Sequence, residues 1–191
     1  PPPYKLGAIG APMPGSGKTL LATLARIIHG GVFRSELPDK DEEIRKVITT
    51  LLEMSTGPII HFDNVSGTLR SSTLAGLLTS AVWSDRRLGS NDLIEVPNDR
   101  LWLVTGNNLS LGGDLTRRAL WVTIDPACPD PHLRTGFAIA NLEEWVREHR
   151  GEILHALLIL VRAWVVAGRP STRRGADSFG AWIETVGGIL G

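Results

Sequence analysis

Runs of apolar residues separated by helical patterns occupy the first two thirds of the chain. The pattern predicts strands at residues 4–11, 32–34, 59–63, 101–105 and 119–124. The run at 59–63 is apolar at consecutive positions, which is typical of a central parallel strand buried on both faces. Because strands alternate with helices, we expect a three-layer α/β fold with a mainly parallel central sheet.

Capping and spacing signals place the helices between these strands. One helix is predicted over residues 20–28, and a second follows the capping pattern at 39–42. A third is predicted to begin at a cap formed by Ser71 or Ser72 and to run to about Ala81.

The character of the chain changes after Pro131. A capping box at Asn141 opens a long helical region that is predicted to reach Val166, and Ser178 is predicted to cap a last short helix. We therefore expect a core domain over residues 1–126 and a helical lid or subdomain over 127–191. The whole is expected to be a fragment of a larger protein.

Composition narrows the possible partners. Of 191 residues, 42% are hydrophobic and 21% are charged, and the formal net charge is zero. These values exclude wholesale disorder and leave any nucleic-acid contact to a local patch. The lone Cys128 cannot form an intramolecular disulfide, which favours a cytoplasmic setting. The apolar stretch 153–167 carries His155 and Arg162. It is predicted to be a buried helix, and no membrane partner is expected.

The segment Ala-Pro-Met-Pro-Gly-Ser-Gly-Lys-Thr at residues 11–19 lies between the first strand and the first helix. Its two inner glycines let backbone N–H groups converge on anionic oxygens, and the helix that follows adds the positive end of its dipole. Lys18 can reach the β- and γ-phosphates of a nucleotide, and Thr19 can offer its hydroxyl to Mg²⁺. The predicted cofactors are ATP and Mg²⁺, bound by Pro14, Gly15, Ser16, Gly17, Lys18, Thr19 and Leu20. Pro12 stands where the usual phosphate loop has glycine, and the alternative reading is a glycine-rich turn that binds nothing.

Polar residues follow two of the predicted strands. Asp63 ends the strand at 59–63 and is the predicted Mg²⁺ ligand alongside Thr19. Asn64 stands where many related ATPases place a glutamate that activates water, so efficient hydrolysis is in question. Asn107 and Asn108 follow the next strand, and one of them is expected to hold the attacking water. The alternative for each pair is ordinary turn chemistry.

Arg117 and Arg118 precede the last predicted strand. A guanidinium delivered to the γ-phosphate of a neighbouring subunit stabilises transition-state charge. The alternative is a pair of solvated surface charges.

The ordered motifs PGSGKT, IIHFDN, LWLVTGNN and GDLTRRALWVTID resemble the ATPase core of the AAA+ class. They are most similar to superfamily 3-type and phage or plasmid replication helicases, over residues 4–125. The resemblance implies a P-loop NTPase fold with a helical lid, ATP hydrolysis, and a homo-oligomer, most often a hexameric ring, that moves on or unwinds DNA. In that class a hairpin lines the central pore. Here a hairpin is predicted within residues 81–98, and its Arg86 and Arg87 are candidates for contact with single- or double-stranded DNA.

Two other functions stay open. Asn64 is compatible with a nucleotide-dependent assembly switch or helicase loader that turns ATP over weakly. A small-molecule kinase would instead close an arginine-rich lid on a second substrate and act as a monomer. The Asn pair and the Arg pair argue against the kinase.

Overall fold

The structure is a computed structural model that describes residues 4–34, 36–54, 57–87, 89–171 and 179–191. Its strands are β1 (Leu6–Ala11), β2 (Val32–Arg34), β3 (Ile59–Phe62), β4 (Thr68–Leu69), β5 (Val82–Arg86), β6 (Leu93–Pro97), β7 (Leu101–Asn107), β8 (Ser110–Leu111) and β9 (Ala119–Thr123). Its α-helices are α1 (Lys18–His29), α2 (Asp41–Met54), α3 (Ser72–Leu77), α4 (Leu142–Glu148), α5 (Arg150–Val166) and α6 (Gly180–Leu190). Short 3₁₀ turns span Gly113–Arg117 and Pro131–Leu133.

A five-stranded sheet in the order β2-β3-β7-β1-β9 forms the centre of the molecule. Every pair of neighbouring strands in it is parallel. The carboxyl ends of β3, β7 and β1 therefore lie side by side at one edge of the sheet. The α/β class and the parallel sheet predicted from the sequence are confirmed.

Helices cover both faces of this sheet. Ile9, Ile59 and Leu103 pack with Ala22 of α1 on one face. The alternate strand residues point the other way, since successive side chains of a strand face opposite sides. They pack with α2 and α3 in the larger core, which includes Leu6, Ala8, Ile60, Phe62, Trp102, Val104, Ile44, Ile48, Leu74 and Leu77.

The boundaries of several elements differ from the prediction. The first strand begins at Leu6 rather than residue 4, and the strand predicted at 101–105 extends to Asn107. The third helix starts at the predicted cap Ser71 but ends at Leu77, well before Ala81. Buried Asn98 explains the early end, because its Nδ2 donates to the carbonyl of Leu77 at 2.7 Å and to that of Ser80 at 2.9 Å.

The predicted long C-terminal helix is two helices. Asn141 caps α4 as expected, accepting from the N–H of Glu144 at 3.2 Å, but α4 stops at Glu148. The ring of His149 stacks on Trp145 with centroids 4.2 Å apart, and its Nδ1 lies 2.8 Å from the Trp145 carbonyl. The His149 side chain therefore contacts the same Trp145 carbonyl that accepts from the backbone N–H of His149. The next helix, α5, begins directly after His149. The predicted cap at Ser178 lies outside the described residues.

The expectation of a buried helix at 153–167 is wrong. This stretch forms most of α5, in which no residue is buried. The helix contacts α6, α4 and part of α1. Apolar side chains are therefore left exposed, including Leu158, Ile159, Leu160 and Val166. Within the described ranges, no helix has the length and apolar character needed to cross a membrane.

The predicted hairpin is confirmed as the antiparallel pair β5–β6. A further short parallel pair, β4–β8, joins the segments that follow β3 and β7. No pattern in the sequence predicted this pair. The pair ties together two loops that leave the carboxyl edge of the central sheet.

Candidate anion and metal site

The glycine-rich segment between β1 and α1 has the backbone geometry that its sequence predicts. Gly15 has φ +73° and Gly17 has φ +92°, a left-handed region that suits glycine. A Cβ at Gly15 would lie 2.7 Å from the Cβ of His132, so this position is closed to larger residues. Gly17 is the N-cap of α1 and has no side chain to satisfy the helix. The first N–H groups of α1 are therefore available to an anion.

Lys18 lies at the start of α1 and is buried, with 6% of its surface exposed. Its Nζ donates to Asn107 Oδ1 at 2.6 Å, to Ser16 Oγ at 3.0 Å and to the Met13 carbonyl at 3.3 Å. Burial lowers the pKa of Lys18, and the nearby Asp63 carboxylate opposes that shift. The amine is thus held by oxygen acceptors at the N-terminal end of the helix.

Asp63 follows β3 and faces the beginning of α1. Its Oδ1 accepts from Thr19 Oγ1 at 2.9 Å and from the hydroxyl of Thr105. Burial raises the pKa of the Asp63 carboxyl, but hydrogen bonds from Thr105, Thr19 and the Asn64 N–H outweigh it, and the net shift is downward. The carboxylate is therefore ionised at neutral pH and accepts hydrogen bonds only.

The oxygen donors of Thr19 and Asp63 suit a hard cation such as Mg²⁺. Among the described residues there is no group of three or more His, Cys, Asp or Glu side chains placed to hold a metal. One carboxylate and one hydroxyl match the way Mg²⁺ is bound when waters and substrate phosphates complete its shell. The fit is to a nucleotide-bound Mg²⁺, not to a metal caged by protein alone.

The structure separates the two members of the predicted asparagine pair. Asn107 ends β7 and contacts Lys18 through its side chain. Asn108 turns away with φ +47°, is exposed, and its N–H donates to the Ala11 carbonyl at 3.1 Å. Asn64 has φ +58° and is exposed beside Asp63. Asn107 is therefore the member of its pair that lies in the site.

The two predicted arginines differ in the same way. Arg118 has 13% of its side chain exposed. It donates to the Ala75 carbonyl, to Thr79 Oγ1 at 3.0 Å and to Asp114 at 2.8 Å. Arg117 is 57% exposed and lies 3.4 Å from Asp114. For the part of the chain that is described, neither contacts Lys18, Asp63 or Asn107 of its own subunit.

The β5–β6 hairpin is anchored on α2. Asp85 pairs with Arg45 at 2.9 Å and accepts from Thr49 at 2.6 Å. Arg87 pairs with Glu53 at 2.6 Å. Both Arg86 and Arg87 are exposed. Arg86 is therefore the hairpin arginine whose charge is not matched by a carboxylate in a described ion pair.

Sequence reasoning missed two residues of this site. Thr105 and His61 are both fully buried. Thr105 Oγ1 contacts Asp63 and lies 3.0 Å from His61 Nε2. The available signal was the presence of polar side chains within otherwise apolar strands, at positions that side-chain alternation places on the same face as Asp63.

Comparisons with known proteins bear on the fold. No family model matches the chain, and no curated protein matches its sequence. Among solved structures, the C-terminal region of NrS-1, in its apo A form, matches with a TM-score of 0.50 and 16% sequence identity. The match covers 76% of this chain, which spans about a third (34%) of that one. The chain therefore shares an α/β fold with part of the NrS-1 C-terminal region.

Proposed function

We propose that this chain binds Mg²⁺·ATP and hydrolyses it as one subunit of a ring that moves on or unwinds DNA during replication of a phage or mobile element. The observation that carries the proposal is the convergence of Lys18, Thr19, Asp63 and Asn107 at the carboxyl edge of three adjacent parallel strands. Ligands of open α/β sheets bind at this edge. The likeness to the NrS-1 region supports the fold on which the site is built.

In this proposal the segment 13–19 binds the phosphates. The N–H groups at the start of α1 and the positive end of its dipole face the anion, and Lys18 donates to the β- and γ-phosphates. When bound, Mg²⁺ would supply positive charge that neutralises the phosphates. Thr19 and Asp63 would hold the ion. Asn107 is already beside the Lys18 amine and would orient the attacking water.

The water-activating step is the weak point of this site. Asn64 stands next to Asp63, and an amide can orient water but cannot take its proton. The exposed Arg117 would act on the γ-phosphate bound by a neighbouring subunit, where it would stabilise the charge of the transition state. Hydrolysis would therefore depend on assembly of the ring. The exposed hairpin arginines would contact DNA phosphates in its pore.

Replacing Lys18 with alanine tests the proposal. Loss of a charged hydrogen-bond donor to phosphate is expected to weaken binding of an ATP analogue by about 10- to 100-fold. It is also expected to remove ATPase activity stimulated by single-stranded DNA. Titration calorimetry and a phosphate-release assay measure the two effects.

Lys40→Ala is the matched control, because Lys40 is exposed and its side chain makes no described hydrogen bond or ion pair with Lys18, Asp63 or Asn107. It is expected to bind the analogue as the unsubstituted protein does. Unchanged nucleotide binding and hydrolysis in Lys18→Ala would contradict the proposal.

A nucleotide-dependent switch or helicase loader is the second candidate, favoured by the amide of Asn64 beside the metal carboxylate. Single-turnover hydrolysis with and without single-stranded DNA separates the two. Stimulation by DNA supports the motor. Retention of uncleaved ATP under both conditions supports the switch.

A further inference from the structure

The hydroxyl of Thr105 lies between two polar groups in the interior of the sheet. It donates to Asp63 Oδ1 and lies 3.0 Å from Nε2 of His61. Thr105 and His61 are fully buried, on the neighbouring strands β7 and β3. The three side chains therefore form a continuous chain of hydrogen bonds that ends at the proposed metal ligand.

The direction of these hydrogen bonds follows from the chemistry of the groups. The Asp63 carboxylate accepts only, so the single O–H of Thr105 points to it. The Thr105 oxygen is then an acceptor toward His61, and His61 Nε2 must carry the proton. Neutral histidine with its proton on Nε2 has no proton on Nδ1.

The other nitrogen of this ring is left unsatisfied. Among the described residues, His61 Nδ1 is buried without a hydrogen-bond partner. The ring also meets Phe33 edge-on, with centroids 5.5 Å apart. An unpaired buried acceptor costs stability, and an apolar side chain would avoid that cost. The polar contribution of His61 is therefore made at Nε2, toward Thr105.

We propose that His61 and Thr105 are positioning residues that orient the Asp63 carboxylate for the divalent cation of the bound nucleotide. His61 fixes the Thr105 hydroxyl by donating to its oxygen, and that hydroxyl fixes Oδ1. Thr19 donates to the same oxygen from α1, so the carboxylate is held from two sides. The inference rests on the proposed function, because it assigns a role toward the same Mg²⁺·ATP.

Paired variants separate the hydroxyl of Thr105 from its shape. Thr105→Val replaces the hydroxyl with a methyl group of similar size, whereas Thr105→Ser keeps the donor. His61→Leu removes the donor to Thr105, and His61→Gln offers an amide N–H at a similar distance along the side chain. Affinity for Mn²⁺ is measured by electron paramagnetic resonance with a non-hydrolysable ATP analogue bound. Affinity for the analogue without metal is measured in EDTA.

Thr105→Val and His61→Leu are expected to weaken Mn²⁺ binding by about 10-fold, as is usual when a group behind a metal ligand is removed. Metal-free analogue affinity is expected to stay unchanged, and Thr105→Ser and His61→Gln are expected to recover most of the Mn²⁺ affinity. Equal losses in Thr105→Val and Thr105→Ser, or unchanged Mn²⁺ affinity in Thr105→Val, would overturn the inference. A parallel loss of metal-free affinity would also overturn it. If the unsubstituted protein binds the analogue but no Mn²⁺, the positioning role and the proposed metal both fail. If it binds neither, the proposed function itself fails.

Discussion

In the proposed function, Asn64 occupies the position from which a carboxylate would take a proton from water. Its backbone φ of +58° is in the left-handed region, which asparagine tolerates better than most residues with a side chain. Its N–H donates to Asp63 and helps keep that carboxylate ionised. The residue thus combines a structural task, performed by its backbone, with a side chain unable to act as a base.

Asn64→Glu is expected to raise the rate of ATP hydrolysis, because it adds a general base next to Asp63. General bases typically contribute roughly 100-fold or more, and a gain of at least about 10-fold is expected here. Because glutamate tolerates the left-handed backbone at this position less well than asparagine, the substitution is also expected to lower the free energy of unfolding by about 1 kcal/mol. Steady-state phosphate release and urea unfolding measure the two quantities.

Asn64→Gln serves as the comparison, since it matches glutamate in size and carries an amide. It is expected to leave the rate at the level of the unsubstituted protein. Equal rates for the Glu and Gln variants would show that a base at this position does not control turnover.

Among the elements, the junction of α2 and α3 depends on one carboxylate. Asp41 begins α2 and accepts from the hydroxyl of Ser71, from Ser72 Oγ at 2.6 Å and from Thr73 Oγ1 at 2.9 Å. Burial raises the pKa of Asp41, but these hydrogen bonds and one from the Thr73 N–H outweigh it and lower the pKa below 3.8. The carboxylate joins the N-terminal ends of two helices that cover the same face of the sheet.

Asp41→Asn is expected to lower the free energy of unfolding at pH 7 by about 2 kcal/mol. The substitution replaces hydrogen bonds to a charged carboxylate with hydrogen bonds to a neutral amide. It also places the amide NH₂ against groups that are themselves hydrogen-bond donors. A carboxyl whose pKa is lower in the folded than in the unfolded protein stabilises the fold at every pH above its unfolded pKa. This stabilisation is lost as pH falls through the pKa of the folded protein. The difference between the two proteins is therefore expected to be full at pH 7, to decrease as pH falls below 3.8, and to vanish once pH is below the lowered folded pKa. Urea unfolding across this range measures it.

Asp39→Asn is the control for this experiment. Asp39 is exposed two residues earlier. The substitution is expected to change the free energy of unfolding by less than about 0.5 kcal/mol at any pH. A constant difference between Asp41→Asn and the unsubstituted protein from pH 7 to pH 3 would contradict the account.

At the scale of the whole molecule, the proposed function requires a positive charge that a neighbouring subunit brings to the γ-phosphate. Arg118 is committed to its own subunit through Ala75, Thr79 and Asp114. Arg117 is the exposed member of the pair. Of the two, Arg117 bonds Asp114 at the surface and is the arginine placed to reach a neighbouring subunit, whereas Arg118 holds the turn before β9 against α3.

Arg117→Ala is expected to abolish ring-dependent hydrolysis while leaving the free energy of unfolding within about 0.5 kcal/mol, as for a typical surface substitution. Mixed with Lys18→Ala, it is expected to regain part of the activity. In a mixed ring, a subunit with Arg117→Ala keeps its own nucleotide site. A neighbouring subunit with Lys18→Ala can supply the missing Arg117 to that site. Phosphate release from each variant and from the mixture measures this complementation.

Arg118→Ala provides the contrast. It is expected to lower the free energy of unfolding by about 2 kcal/mol, because it removes a charged donor from partly buried acceptors. Activity lost in Arg117→Ala and not regained in the mixture would contradict a role in trans.

The parts of the candidate site that could be predicted are those encoded in short stretches of sequence. Gly15 and Gly17 predict a turn with left-handed backbone before a helix, and Lys18 and Thr19 follow them at fixed positions. Apolar runs likewise predicted the strands, because a strand that is buried on both faces consists of apolar residues. The polar residues that follow β3 and end β7 were visible in the same way.

What only the tertiary structure decided are the contacts between distant segments. Lys18 hydrogen-bonds Asn107, 89 positions along the sequence, and not Asn108. Asp63 accepts a hydrogen bond from Thr105, 42 positions along the sequence. The contacts of Arg118 with α3, the early end of that helix at Leu77 beside Asn98, and the exposure of α5 depend equally on which elements become neighbours. The sequence by itself determined the parallel strands and the order of the motifs along them, because backbone geometry and hydrophobic period are local properties. The choice among adjacent polar side chains required the folded sheet, since hydrogen bonds form only between atoms that the packing of separate strands brings within reach.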